Sequence, residues 1–264
     1  MTSTATLVWL GVGATLCFAL PVALLVWWRR TRRAKLTPFF VGAAVFFVFA
    51  RVLEALLHSA VLLSDNGVAR ALNANPYLFA LYAGLAAGVF EETGRYIAFR
   101  VLLSKRRFPE RDTAVTYGIG HGGCEAVVIV GAAYVAYIIL ALYLRRGNEP
   151  AAIALAGGNA AAFKAMRGAL MAFTPLSLVP ALLERAAAIL LHIALSCFVF
   201  LAARDKTQWS WFPFAIMLHA IVDMPAALCQ KGLLPAAAVE LWLWVAALGA
   251  LFAARKCYLE AADP

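Results

Sequence analysis

The chain has 264 residues, of which 64% are apolar or aromatic and 14% charged, with a mean hydropathy of +0.82. Soluble domains run at roughly 45–50% apolar and about 25% charged, so composition excludes a soluble globular protein, a disordered chain and a disulfide scaffold, and leaves a polytopic membrane protein. The formal charge of +9 belongs, in such a chain, to loops on the cytoplasmic side, and no nucleic-acid partner is expected.

Seven apolar stretches follow one another, and in lipid each must be a helix, because only a helix satisfies its own backbone there. The first, 6–28, lacks a preceding basic region and a cleavage motif, so it reads as a span and not as a removable signal. The second, 37–57, carries Arg51 and Glu54, expected to pair, and ends at His58, expected at the surface. The third, 76–103, holds Gly84 and Gly88 in a G-x-x-x-G that permits close helix approach, then Glu91, Glu92, Arg95 and Arg100, the last expected to reach the headgroups. The fourth, 113–141, carries His121 and Glu125. The long loop 145–174 contains 160–172, which reads either as an amphipathic surface helix or as a plain solvated loop. The fifth span, 175–203, carries Glu184, Arg185 and His192; the sixth, 210–229, carries His219 and Asp223; the seventh is 235–254. Pro21, Pro180, Pro213 and Pro225 predict kinks or first turns.

With the N-terminus outside, the inner segments 29–35, 104–112, 204–208 and 255–256 hold thirteen lysines and arginines, and the outer loops hold six. The positive-inside rule then predicts N-out and C-in. No repeat or low-complexity linker divides residues 1–264, so one transmembrane domain is expected. The predicted fold is all-α: a bundle of about seven membrane helices around a polar cavity open to the cytoplasmic side.

Ten charged residues fall inside the predicted spans: Arg51, Glu54, Glu91, Glu92, Arg95, Arg100, Glu125, Glu184, Arg185 and Asp223. At about 2.5–3.5 kcal/mol each at mid-bilayer, they would cost roughly 25–35 kcal/mol unpaired, beyond ordinary fold stability. They must meet one another, the interface or water. Spacing groups them: His121 with Glu125 and His219 with Asp223 are four apart, Glu91 with Arg95 four, Glu92 with Arg95 three, Glu184 with His192 eight, each set on one helix face. Counted from the predicted inner ends at 1.5 Å per residue, Glu91, His121, His192 and His219 all lie about 12–20 Å from the cytoplasmic face. Four spans thus present acid or imidazole in one layer, the signature of a shared buried polar site.

A carboxylate beside an imidazole can act as general base on water, and a second imidazole can stabilise an oxyanion. Three histidines and several carboxylates also match zinc preferences, but no H-E-x-x-H is present, so ligation would draw His121, His192 and His219 from three helices. The residues alone leave a glutamate–histidine site, a metal site and a proton-coupled transporter open; a transporter would need a path to both faces, and no inverted repeat is seen.

The segments Phe90-Glu91-Glu92-Thr93-Gly94-Arg95-Tyr96, Tyr117-Gly118-Ile119-Gly120-His121-Gly122-Gly123-Cys124-Glu125, Glu184-Arg185 leading to His192-Ile193-Ala194-Leu195-Ser196, and His219-Ala220-Ile221-Val222-Asp223 together resemble the YhfC-type intramembrane proteases, a family related to PrsW and to the CAAX prenyl endopeptidase and bacteriocin-processing superfamily. The resemblance implies an intramembrane endopeptidase that cuts a membrane-associated or lipidated protein or peptide. It implies that Glu91 or Glu92, with His121, activates the attacking water, that Arg95 fixes the glutamates, and that His219 and Asp223 take the oxyanion-stabilising position. Glu125, Glu184 and His192 enlarge the site, and Tyr117 stands where the prenyl endopeptidases have phenylalanine. The first motif is one residue shorter than their Glu-Glu-x-x-x-Arg, which leaves the choice between Glu91 and Glu92 open, and Asp223 replaces their asparagine. No cofactor is required if water is activated by glutamate and histidine; zinc is required if the enzyme is a metalloprotease. A non-catalytic membrane scaffold keeping the family fold is the remaining alternative. The expected partners are the lipid bilayer and a peptide substrate, and the expected location is a bacterial cytoplasmic (inner) membrane.

Overall fold

The computed structural model describes residues 2–108 and 110–260, and all regular structure among them is helical. In chain order the helices are α1 (Thr4–Arg32), α2 (Thr37–Phe46), α3 (Ala55–Leu62), α4 (Gly67–Ala74), α5 (Pro76–Ile97), α6 (Asp112–Ala126), α7 (Ala132–Arg145), α8 (Glu149–Leu155), α9 (Ala160–Ala172), α10 (Leu178–Arg204), α11 (Trp211–Gln230) and α12 (Ala236–Glu260). Two pairs are single rods with π-helical turns inside them: Phe47–Glu54 joins α2 to α3, and Val127–Gly131 joins α6 to α7. A third π-helical turn, Ala98–Leu102, prolongs α5.

Six rods are long and apolar enough to cross a membrane: Thr4–Arg32, Thr37–Leu62, Asp112–Arg145, Pro175–Arg204, Lys206–Gln230 and Ala236–Cys257. The third predicted span, 76–103, is present as a helix of comparable length, but Glu91, Glu92, Arg95 and Arg100 crowd its second half. Its place in the bundle is set by polar partners as much as by apolarity. Of the four prolines, Pro180 and Pro213 sit in first turns, whereas Pro21 and Pro225 lie inside α1 and α11. The stretch 160–172 is a helix, started by the Asn159 side chain, which accepts from the backbone N–H of Ala161 and Ala162.

The helix α10 is the central post. Its apolar window is 83% buried, against 11–28% for the other five rods. A helix apolar all round belongs in the interior, and α10 reads that way from Ala187 to Ala203. Two apolar clusters divide along it. One, with Phe99, Tyr117, Phe198 and Phe200, joins α5, α6, α10, α11 and α12 near the C-terminal end of α10; the other, with Leu10, Tyr134, Leu140 and Leu170, joins α1, α7 and α9 to its N-terminal end. Arg204 and Arg100 lock α5 to α10 at one end: Arg204 donates to the carbonyls of Phe99, Leu103 and Phe108, and Arg100 donates to that of Ala203. These bonds satisfy carbonyls that the end of a helix leaves open.

Glycine sets the closest crossing. A Cβ on Gly84 would sit 2.5 Å from the Ala220 carbonyl oxygen, and one on Gly88 would sit 2.5 Å from that of Ile216. Only glycine lets α5 and α11 approach to this separation, and one turn beyond Gly88 the crossing delivers Glu91 and Glu92 to the level of His219.

Candidate metal centre

The side chains that meet at the level of that crossing come from four helices. Glu91, Glu92 and Arg95 stand on α5, His121 and Glu125 on α6, His192 and Arg185 on α10, and His219 and Asp223 on α11. Glu92, Arg95 and His121 are completely enclosed, and Glu91, His192 and His219 are buried. A charge so enclosed is tolerated only when paired and hydrogen-bonded.

Arg95 is the hub. Its Nη1 lies 2.7 and 2.6 Å from the two carboxylate oxygens of Glu92, and its Nη2 lies 3.0 Å from His192 Nδ1. A guanidinium can only donate, so His192 Nδ1 is the acceptor, and the ring proton sits on Nε2. That Nε2–H donates to Glu125 Oε2 at 2.6 Å. The other oxygen of Glu125 accepts from Arg185 Nη1 at 2.6 Å, and Arg185 Nη2 donates to Glu184 at 2.5 Å. On the far side of Arg95, Glu92 Oε1 lies 2.8 Å from His219 Nδ1, while His219 Nε2 stands 3.5 Å from Asp223. His219 therefore faces carboxylates with both nitrogens, the setting of a doubly donating ring.

His121 Nε2 lies 2.8 Å from Glu91 Oε2, and its Nδ1 is buried without a hydrogen-bond partner. The His121 and His192 rings are 4.7 Å apart, and ligand atoms of Glu91, His121 and His192 all lie within 4.8 Å of one another. Two imidazoles and a carboxylate are the donors zinc takes in hydrolytic sites, and an orphaned buried ring nitrogen is an atom such an ion would satisfy. The residues present fit a metal ion.

The structure corrects several pairings expected from spacing. Arg95 pairs with Glu92 and not with Glu91. His121 and Glu125 share a helix but not a bond: Glu91 takes the first and His192 the second. Glu184, half-exposed, does not meet His192; it sits at the outer end of Arg185. His219 stands outside the group of three residues that could hold a metal ion, engaged by Glu92, and Glu91 is in that group instead. Asp223 is 41% exposed and holds His219 loosely. Tyr117 is fully buried, its ring 5.8 Å from His121 and beneath the Arg95 guanidinium. Glu54 bonds His58 at 3.1 Å, His58 bonds Tyr82 at 2.9 Å, and Arg51 is exposed, so Glu54 pairs with His58 and not with Arg51. Sequence reasoning left Arg185 outside the site. Its one signal was an arginine inside an apolar helix next to a glutamate, which does not say where the side chain reaches.

Comparison with known proteins gives a consistent result. A family model described as YhfC intramembrane metalloprotease matches residues 16–243. A Bacillus subtilis (strain 168) protein described as uncharacterized membrane protein YhfC is 33% identical over 259 residues, which cover 98% of this chain and 96% of that protein. No solved structure matches. By its sequence from Leu16 to Leu243, and with a buried glutamate–histidine cluster carried on its helices, this chain belongs to the YhfC intramembrane metalloprotease family.

Proposed function

We propose that the protein is a metal-dependent intramembrane endopeptidase, and that Glu91, His121 and His192 would hold a zinc ion. The observation that carries this reading is the convergence of ligand atoms of those three residues, from α5, α6 and α10, within 4.8 Å of one another. The description of the family supports the same chemistry. A bound zinc supplies Lewis acidity, which makes water nucleophilic near neutral pH and polarises a carbonyl.

The chain's own groups supply the rest. Arg95 holds Glu92 against His219, and the 2.8 Å contact from Glu92 Oε1 to His219 Nδ1 is a path along which a proton can pass. His219 Nε2, only 3.5 Å from a half-exposed Asp223, is the least committed donor of the cluster and the one free to turn to a developing oxyanion. Burial keeps bulk water away, so each of these contacts acts in a low-dielectric setting. The substrate is a peptide bond in a membrane-associated or lipidated protein or peptide. One transmembrane unit, N-out and C-in in a bacterial inner membrane, puts the cluster in the half of the bilayer nearer the cytoplasm.

Elemental analysis of detergent-purified protein tests the reading. About one zinc per chain is expected in the wild type, and close to none in Glu91→Gln, His121→Ala and His192→Ala at unchanged helicity. Cleavage of membrane peptides should be lost with the metal and return on adding zinc. Folded, chelator-indifferent wild type without zinc would overturn the metal assignment and favour water activated by Glu91 and His121 alone, across their 2.8 Å contact.

A further inference from the structure

His192 can offer a metal only one lone pair at a time, and the structure selects which. With its Nε2–H given to Glu125, Nδ1 is the ring nitrogen with a lone pair, which here accepts from Arg95 Nη2 and which a metal would take in place of that bond. A carboxylate on the far nitrogen of a metal-ligating histidine fixes its tautomer and orientation and raises its basicity. Glu125 can do this only if it is itself held, because a carboxylate on a membrane helix is otherwise costly and mobile. Arg185 is the group that holds it: one Nη on Glu125, the other on Glu184, with the guanidinium-bearing side chain 8% exposed. Glu184 is 45% exposed, and its neighbours Leu183 and Ala186 line an apolar groove of about 550 Å³ between α1 and α10. The four residues form one bonded line ending at the candidate ligand: Glu184, Arg185, Glu125, His192.

We infer that Arg185 is a positioning residue for the metal site, acting through Glu125 to hold the His192 ring in place. This rests on the metal reading above, and it assigns a role in metal affinity to an arginine for which the resemblance implied none. A merely structural arginine would staple α6 to α10 and leave affinity alone. Placement argues for more, since a staple needs only Arg185 and Glu125, whereas Glu125 spends its second oxygen on His192.

The test is zinc affinity measured by competition with a chromogenic chelator, beside thermal stability of the metal-free protein, for wild type, Arg185→Met, Arg185→Lys, Glu125→Gln and the Arg185→Met/Glu125→Gln double variant. Arg185→Met should weaken zinc binding about 10–100-fold, the range for loss of an outer hydrogen-bond partner of a ligand. Arg185→Lys should recover part of that loss. The double variant should bind no more weakly than Glu125→Gln alone, because the arginine acts through the glutamate. Unchanged affinity in Arg185→Met with reduced stability would overturn the inference and leave a staple. Additive losses in the double variant would overturn it too, by removing Glu125 from the path. Should Arg185→Met not fold, Arg185→Lys carries the measurement, and wild-type affinity in it combined with wild-type affinity in Glu125→Gln overturns the inference. Wild type that binds no zinc would refute the metal reading itself, and this inference with it, a result distinct from the others.

Discussion

Two clusters of carboxylate and imidazole lie within the helices, and they are built differently. The outer one, Glu54–His58–Tyr82, is local: a glutamate and a histidine four residues apart bond along one rod, and a tyrosine from α5 completes the chain. The inner one is almost wholly long-range. His121 meets Glu91 across 30 residues of sequence, Arg95 meets His192 across 97, and Glu92 meets His219 across 127. Helical spacing of four places Glu and His within reach in both regions. It yields a bond in the outer cluster and none between His121 and Glu125, because in the interior stronger partners arrive from other helices. Three imidazoles with ring centroids 4.7 and 5.4 Å apart arise only where four helices converge.

That contrast can be broken at its hub. Arg95→Met leaves the enclosed Glu92 carboxylate with His219 alone, and removing one partner of a buried ion pair costs about 3–5 kcal/mol. Chemical denaturation in detergent should show a loss of that size; a loss under 1 kcal/mol would mean that Glu92 takes up a proton or water replaces the guanidinium. His121→Ala should lower zinc affinity by more than about 100-fold, beyond the effect of an outer partner, while stability of the metal-free protein falls less than in Arg95→Met. Equal zinc binding with and without His121 would remove it from the ligand set. Gly88→Val acts on the backbone crossing and not on chemistry. The added atoms collide with the Ile216 carbonyl, so an overpacking loss of about 1–3 kcal/mol is expected, with weaker zinc binding as Glu91 is displaced. If stability drops and affinity holds, the crossing does not set the site. The smallest effect belongs to the outer cluster. His58→Phe removes two hydrogen bonds worth about 1 kcal/mol each, and zinc affinity should not move. A tenfold change in affinity there would mean that the two clusters are coupled.

Much of this was legible one residue at a time. Glu91, Glu92, Arg95, His121, Glu125, His192 and His219 each stood out as a polar residue in an apolar stretch, and a count of helical rise put several at one depth. Pairing was not legible. Arg95 has Glu91 and Glu92 both within reach on its own helix, and the choice of Glu92 depends on how far α5 is turned toward His219. The third span was legible as a helix, but four charges in its second half set it apart from the six apolar rods. Arg185 was legible as an arginine that could brace another helix, but its partner there, Glu125, is 60 residues away in sequence and was not.

Composition by itself determined that the chain is an all-helical membrane protein, since no other backbone arrangement of so apolar a chain satisfies its hydrogen bonds in lipid while carrying no strand pattern. The sequence also determined which residues had to find partners, because the cost of a lone charge in the membrane depends on residue type and depth alone. Which partners they found was decided by tertiary structure. Glycines at 84 and 88 bring two backbones together, and α10 stands buried at the centre and presents His192 to Arg95 and Glu125 at once. Electrostatic pairing acts over a few ångströms, and separations on that scale between residues 30 to 127 apart are fixed only when the helices pack.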